Sequence, residues 1–309
     1  MSIPPDATTI YARALTRRFG THAAVRNVDL ELRRGEVLGF LGPNGAGKTT
    51  TMQMLTGNLA PTEGEITICG IDMLARPTTA KAKIGYLPEK PPLYRELTVD
   101  EYLRLSLKLH RVQKSTRPTA LKHAKERCGL LEVGRQLIGT LSKGYQQRVG
   151  IAQAIAHEPD VVILDEPTVG LDPNQIRGIR SLIRELGGTH SVILSTHILA
   201  EVEAICDRVQ ILHHGEVVYS DTIAALKALH SGRTVLLGLR RPPSEAELAA
   251  LPGITAVERA SDRLYRLQLA ADRDPTEQLV QCAVEKNWGL YHLAPAQTSL
   301  EDVFVNLTK

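Results

Sequence analysis

Residues Gly42-Pro43-Asn44-Gly45-Ala46-Gly47-Lys48-Thr49 decide how this chain is read. An apolar, strand-like run, Glu36–Leu41, stands before them, and Lys48–Leu59 behind them has a helical pattern. Glycine has no Cβ, so a loop rich in it can turn its backbone amides toward a bound anion without a clash. The N-terminus of the following helix adds a favourable field for negative charge. Lys48 supplies a point charge for β- and γ-phosphates, and the Thr49 hydroxyl can ligate Mg²⁺. Thr50, next in the helix, is grouped with the loop as a nucleotide contact. The full spacing, set between strand and helix, is more than a chance glycine-rich turn provides. The stretch predicts an α/β fold that holds a nucleoside triphosphate.

The second chemical element is Val161-Val162-Ile163-Leu164-Asp165-Glu166, an apolar strand ending in two acids. Asp165 is placed to hold Mg²⁺ through water, and Glu166 to orient or deprotonate an attacking water. Alone, such a pair could equally cap the next element. Beyond a phosphate loop on the same sheet it reads as catalytic.

Working outward, strands are expected at Ile10–Arg17, Val28–Leu32, Glu36–Leu41 and Gly64–Ile68. Val28, Leu30 and Leu32 alternate with Asp29 and Glu31, the pattern of a half-exposed strand. Val161–Leu164 and Ser191–Leu194 read as buried parallel strands. Val209–Leu212 and Glu216–Tyr219 flank His213-His214-Gly215, which suggests a hairpin. Between about Leu97 and Pro159 the period becomes helical. Thr98-Val99-Asp100-Glu101 is a capping box, and Val99, Tyr102, Leu103 and Leu107 fall on one face. Further helices are expected at Arg117–Leu130 and Gly144–Ala156. From about Ser231 a small α+β unit is expected. It has strands around Val235–Leu239 and Tyr265–Leu269, and helices at Glu245–Leu251, Thr276–Glu285 and Leu300–Leu307. The reading divides the chain into residues 1–230, with an inserted helical lobe at about 92–158, and a small accessory domain at 231–309.

Composition bounds the function. The chain has 309 residues, room for one large and one small domain. A net charge of +3 and an aromatic fraction of 4% give no reason to expect a nucleic-acid partner. Cys69, Cys128, Cys206 and Cys282 are widely spaced and read as reduced, buried thiols. Met1–Ile10 lacks the basic and apolar regions of a signal peptide, and no apolar run approaches the ~18 residues of a membrane span. The histidines His213 and His214 read as turn residues, and Lys81-Ala82-Lys83 as a solvated face.

Together these elements resemble the ATP-binding cassette family, the cassette matching residues ~6–225. The resemblance implies a P-loop NTPase fold with a mixed β core, and an ATPase using ATP and Mg²⁺. Leu141-Ser142-Lys143-Gly144-Tyr145-Gln146-Gln147-Arg148 is similar to the family signature, with Lys143 in place of a glycine and Tyr145 in place of a glutamine. Physically, Ser142 is a good N-cap, and its hydroxyl with the first amides also forms an anion site. The family implies that Ser142 and Gly144 contact the nucleotide of a second cassette. Gly170-Leu171-Asp172-Pro173 looks like the D-loop at the dimer interface, although Asp-Pro also makes a turn ahead of a helix. Ser195-Thr196-His197 is similar to the switch segment, which implies that His197 contacts the γ-phosphate and holds Glu166 and the water. Phe19 lies where the family places an adenine-stacking aromatic, with a core position as the competing reading.

Glu89, in Ile84-Gly85-Tyr86-Leu87-Pro88-Glu89, stands where the family usually has a glutamine touching metal and water. It reads as a metal contact or as an exposed loop acid that transmits motion to the helical lobe. The resemblance extends to the bacterial type-2 exporter branch, through Tyr86-Leu87-Pro88-Glu89, the signature and the tail Leu300-Glu301-Asp302-Val303-Phe304. It implies a second cassette, in a homodimer or a pair with a close relative, and a separate transmembrane permease docked near Glu89–Leu97. The chain would then sit peripherally on the cytoplasmic face of the membrane. The rival classes are a ribosome- or DNA-associated cassette ATPase and a nucleotide-sensing module without turnover.

Overall fold

The computed structural model describes residues 8–228, 234–270, 275–295 and 304. The chain forms two compact units, Met1–Ile223 and Ala224–Lys309.

The first unit opens with a long hairpin, β1 (Thr8–Phe19) and β2 (His22–Arg33), followed by β3 (Val37–Leu41) and α1 (Lys48–Leu55). Then come β4 (Glu63–Ile68), β5 (Ile71–Asp72), α2 (Pro77–Lys81) and β6 (Ile84–Leu87). One antiparallel sheet has the order β2-β1-β4-β5. In β2, Val28, Leu30 and Leu32 are buried while Asp29 is exposed and Glu31 half-buried, as the alternation requires. α1 stops at Leu55, earlier than its pattern suggests. The Thr56 hydroxyl folds back onto the Met52 and Gln53 carbonyls, and Gly57 turns into the left-handed region at φ 67°.

The helical lobe comprises α3 (Val99–Leu109), α4 (Arg117–Cys128) and α5 (Lys143–Ile155). Thr98 and Glu101 close the expected capping box reciprocally. Val99, Tyr102, Leu103 and Leu107 are all buried. α4 ends before Leu130 because Gly129, at φ 66°, supplies its left-handed cap. The lobe leaves the sheet after β6 and returns at β7 (Val161–Asp165), and those two strands are parallel neighbours.

After β7 come α6 (Pro173–Gly187), β8 (Ser191–Thr196), α7 (Leu199–Ile205) and the hairpin β9 (Arg208–His213) and β10 (Glu216–Thr222). The second sheet has the order β10-β9-β3-β8-β7-β6, parallel except at β10. β3, β7 and β8 are buried at every position, which explains their unbroken apolar runs. The hairpin turns at His214 and Gly215, with φ 48° and 83°, whereas His213, also expected in the turn, is the last residue of β9 and pairs with Glu216. β6 was not expected as a strand. It is short, and Gly85 is there because a Cβ would lie 2.1 Å from the Ala154 carbonyl oxygen of α5.

α8 (Ile223–Ala228) spans the division between the units. The second unit then runs β11 (Thr234–Leu239), α9 (Glu245–Ala249), β12 (Ile254–Ser261), β13 (Leu264–Leu269), α10 (Thr276–Glu285) and β14 (Leu290–Pro295). Its sheet order is β12-β13-β11-β14, antiparallel at every pairing, the split β-α-β arrangement of ferredoxin-like folds. Leu237, Leu239, Leu267, Leu248, Leu279 and Trp288 form its core. The expected helix at 300–307 and the tail motif lie, apart from Phe304, outside the described residues, as does the Ser231–Arg233 boundary.

All four cysteines are free, but the expectation of four buried thiols holds only for Cys128 and Cys206. Cys69 and Cys282 are half-buried. Burial pushes the Cys128 thiol up to about 12, which leaves it inert. Among the described residues, no helix is long and apolar enough to cross a membrane.

Candidate nucleotide site

β3 ends at Leu41 and delivers the glycine loop to the top of the parallel sheet. Gly45 and Gly47 sit at φ 80° and 104°. A Cβ on Gly47 would lie 2.5 Å from the Ala24 carbonyl oxygen, and one on Gly42 2.3 Å from that of Leu212. The loop is thus pinned between β2 and the end of β9, and only glycine fits at both points. Gly47 is the N-cap of α1, which has no side-chain cap and no acid in its first turn. Its leading amides are therefore available to an anion.

A cavity of about 390 Å³ opens over this loop. Asn44, Gly45, Gly47, Lys48, Thr49 and Thr50 line one side of it, and Ala24 of β2 adjoins them. Glu89, Glu166, Val169 and His197 line the rest. Three strand ends, those of β6, β7 and β8, converge here with the loop. Larger hollows of about 690 and 670 Å³ lie over the β1–β2 hairpin, without phosphate-loop or catalytic residues.

Lys48 is 6% exposed. Its ammonium donates to the carbonyls of Gly42 at 2.8 Å and Pro43 at 3.2 Å, and lies 3.5 Å from Glu166 Oε1. Glu166, directly after β7, has φ 49°, a left-handed conformation that costs a non-glycine residue ~1 kcal/mol or more. Its carboxylate meets His197 Nδ1 at 2.9 and 3.0 Å. A carboxylate only accepts, so Nδ1 carries the hydrogen. A hydrogen bond from His197 to a phosphate oxygen then requires Nε2 to be protonated as well.

Asp165 is fully buried; among the described residues no donor stands in good hydrogen-bond geometry to either carboxylate oxygen, although the Ser195 and Thr49 hydroxyls lie beside them. Burial raises its pKa most. The Ser195 and Thr49 hydroxyls pull it down, and the charges of Glu166 and Glu89 push it up. Two orphaned acceptors beside a threonine hydroxyl suit a hard cation, and Mg²⁺ is commonly held by one or two carboxylates together with phosphate oxygens. The residues present therefore fit Mg²⁺ held by Thr49 and Asp165, with Glu89 facing the same cavity. Among the described residues, no cluster of three or more His, Cys, Asp or Glu forms a separate metal site. Glu89 is solvent-exposed, lines the cavity and acts electrostatically on Asp165.

Other expected residues lie apart from this cavity. Phe19 is 49% exposed at the end of β1, with the Arg17 guanidinium 4.7 Å from its ring centre. It is not a core residue, and it does not line the cavity. Ser142 is the N-cap of α5 and accepts from the Tyr145 amide at 3.4 Å. Gly144 is buried where a Cβ would lie 2.6 Å from the Gln175 side chain of α6. Asp172 caps α6, accepting from the Asn174 and Gln175 amides at 2.9 and 3.0 Å. The signature thus packs on α6 and on the segment before it, and none of Ser142, Gly144 and Asp172 lines the cavity. The Ala24 and Val169 contacts were missed: Ala24 reaches the loop from β2, and nothing local to either residue signals the contact.

The family model described as "ABC transporter" matches residues 25–169. A second, described as "AAA domain, putative AbiEii toxin, Type IV TA system", matches 136–203. The uncharacterized ABC transporter ATP-binding protein YxlF of Bacillus subtilis (strain 168) is 33% identical over 95% of this chain and 97% of its own length. The linearmycin resistance ATP-binding protein LnrL of the same organism is 31% identical over 97% of this chain and 98% of its own. Among solved structures, the dimeric post-hydrolysis state of the ATP-binding cassette MJ0796, bound to ADP and Pi, aligns with TM-score 0.63 at 26% identity. That alignment covers 69% of this chain and 98% of the other. With the phosphate loop, the buried acids and relatives matched along nearly their whole length, the chain belongs to the ABC transporter ATP-binding family and is an ABC-type ATPase.

Proposed function

We propose that the chain is the ATP-hydrolysing subunit that drives a separate transmembrane permease, in the direction of export, from the cytoplasmic face of the membrane. The observation that carries the enzymatic part is the contact between Glu166, Lys48 and His197 at the mouth of the phosphate loop. The loop amides and Lys48 neutralise the phosphates. Glu166, fixed by His197, orients the attacking water and takes its proton. Thr49 and Asp165 would hold Mg²⁺, which would supply positive charge to offset the negative charge of the phosphates. Ser142 and Gly144 serve the nucleotide of a second copy of the chain, a reading supported by their absence from the lining of the cavity and by the dimeric state of a related cassette. The permease and the export direction are supported by relatives named as ABC transporter ATP-binding and linearmycin resistance proteins.

Glu166→Gln keeps the shape of the side chain and removes the base. It should bind MgATP, stop turning it over and accumulate as a closed dimer, which gel filtration with and without ATP would detect. Turnover at the parent rate under saturating MgATP would refute the assignment. Copurification of the tagged chain with a polytopic membrane protein tests the permease.

A further inference from the structure

Glu166 follows β7 and His197 follows β8, and the ladder between these strands ends where the Glu166 amide donates to the Ser195 carbonyl at 2.9 Å. Beyond that point the two segments need side-chain contacts to stay in register. One buried carboxylate bridges the two. Glu201, in α7, is 0% exposed. Its Oε1 accepts from the Thr168 hydroxyl at 2.5 Å, and its Oε2 from the Thr196 hydroxyl at 2.9 Å. Thr168 lies just beyond Glu166 and Thr196 just before His197. Both hydroxyls are themselves buried. The Thr196 oxygen also accepts from the Ile198 amide at 3.1 Å, so the bond is anchored to the backbone carrying His197. Arg180 of α6 approaches Glu201 Oε1 at 3.9 Å, which adds the helix capped by Asp172 to the same network.

A carboxylate removed from water is costly unless its acceptors are satisfied. Here each oxygen is satisfied by a segment that carries one member of the catalytic pair. We infer that Glu201 is a positioning residue for ATP hydrolysis: it ties the segment after Glu166 to the segment before His197 and so sets the contact between those two side chains. This inference rests on the ATPase reading above. Glu201 itself touches neither nucleotide nor cavity. Its removal should therefore leave nucleotide binding in place and degrade the alignment of Glu166, where a displacement near 1 Å costs about a hundredfold in rate.

The test compares the full-length parent, Glu201→Ala and Glu201→Gln in steady-state MgATP turnover, fluorescent-nucleotide binding and thermal melting. In Glu201→Ala, kcat should fall at least about tenfold while the nucleotide Kd stays within about threefold. Glutamine keeps the volume, accepts from one threonine through its oxygen and donates to the other through its amide, so Glu201→Gln should recover to within about fivefold of the parent. If Glu201→Ala does not fold, Thr196→Val cuts one arm of the bridge and should lower kcat with Kd unchanged. Turnover of Glu201→Ala within about threefold of the parent would overturn the inference, as would the same result for Thr196→Val when the alanine variant is unfolded. It would also be overturned if both Glu201 variants lost turnover, nucleotide affinity and melting temperature together, since that marks a purely structural residue. A parent chain without turnover would instead overturn the ATPase reading itself.

Discussion

At the scale of single residues, Glu89 stands where the family resemblance leads to an expectation of neutral glutamine. Its carboxylate faces the same cavity as Thr49 and helps to raise the pKa of buried Asp165. Glutamine offers the same oxygen without the charge. Glu89→Gln should therefore leave ATPase turnover within severalfold of the parent, and a loss beyond about a hundredfold, ~2.7 kcal/mol of barrier, would show the charge itself to be needed. The phosphate loop and the pair Asp165–Glu166 could be read in advance because their signal is local: glycines at fixed spacing, and acids at the end of an apolar run. Glu201 could not. In Leu199-Ala200-Glu201-Val202-Glu203 it is one of two acids on a short helix, and only the packing of α7 makes it the buried one. For Phe19 the exposure of the ring removes the core reading, which an aromatic at a strand end could not decide by itself.

At the scale of elements, periodicity served where burial is one-sided and failed at the edges of the second unit's sheet. β12 and β14 flank the second unit's sheet, and no position of either is buried, so neither shows a clean alternation. α3 was legible because its cap and apolar face agree. Its C-terminal end also carries a pH-sensitive contact. His110, just after α3, stacks on His157, just after α5, with ring centres 3.7 Å apart. His157 also bonds the Ile84 carbonyl of β6 at 3.1 Å. Burial is the main cause lowering the His157 pKa, to about 4, and the charges of His110 and His190 lower it further, against the Ile84 bond. A lowered folded-state pKa means that the neutral form is favoured by folding. The stabilisation is complete above the unfolded value near 6.5 and is lost as pH falls from there toward 4. Acidification from pH 7 to pH 5 should cost ~2 kcal/mol through His157. Melting temperatures across that range should fall, and His157→Gln should flatten the dependence. An unchanged slope in that variant would refute the assignment.

At the scale of the whole molecule, the separation between the phosphate loop and the signature determines what one chain can do. Ser142 caps α5 and Gly144 packs on Gln175, while the 390 Å³ cavity is lined by the loop and three strand ends without them. If the proposed dimer is correct, each working site takes its loop from one copy and its signature from the other. Two defects should then complement one another. A chain with Lys48→Ala has a broken loop and an intact signature, and one with Ser142→Arg has the reverse. Each alone forms dimers in which both sites are spoiled. In a mixed dimer, both defects fall on one site and the other site is whole. Random mixing at equal amounts should make about half of the dimers mixed, each with one good site, and so restore about a quarter of parent turnover if the sites act independently. The measurement is steady-state ATP hydrolysis of the two variants apart and after mixing at the same total concentration. Activity confined to the separate chains, or none after mixing with mixed dimers demonstrated by differential tags, would refute the shared site. Recovery near a quarter would place the Ser142 arm in trans to Lys48, since no arrangement within one chain allows two inactive copies to make an active one.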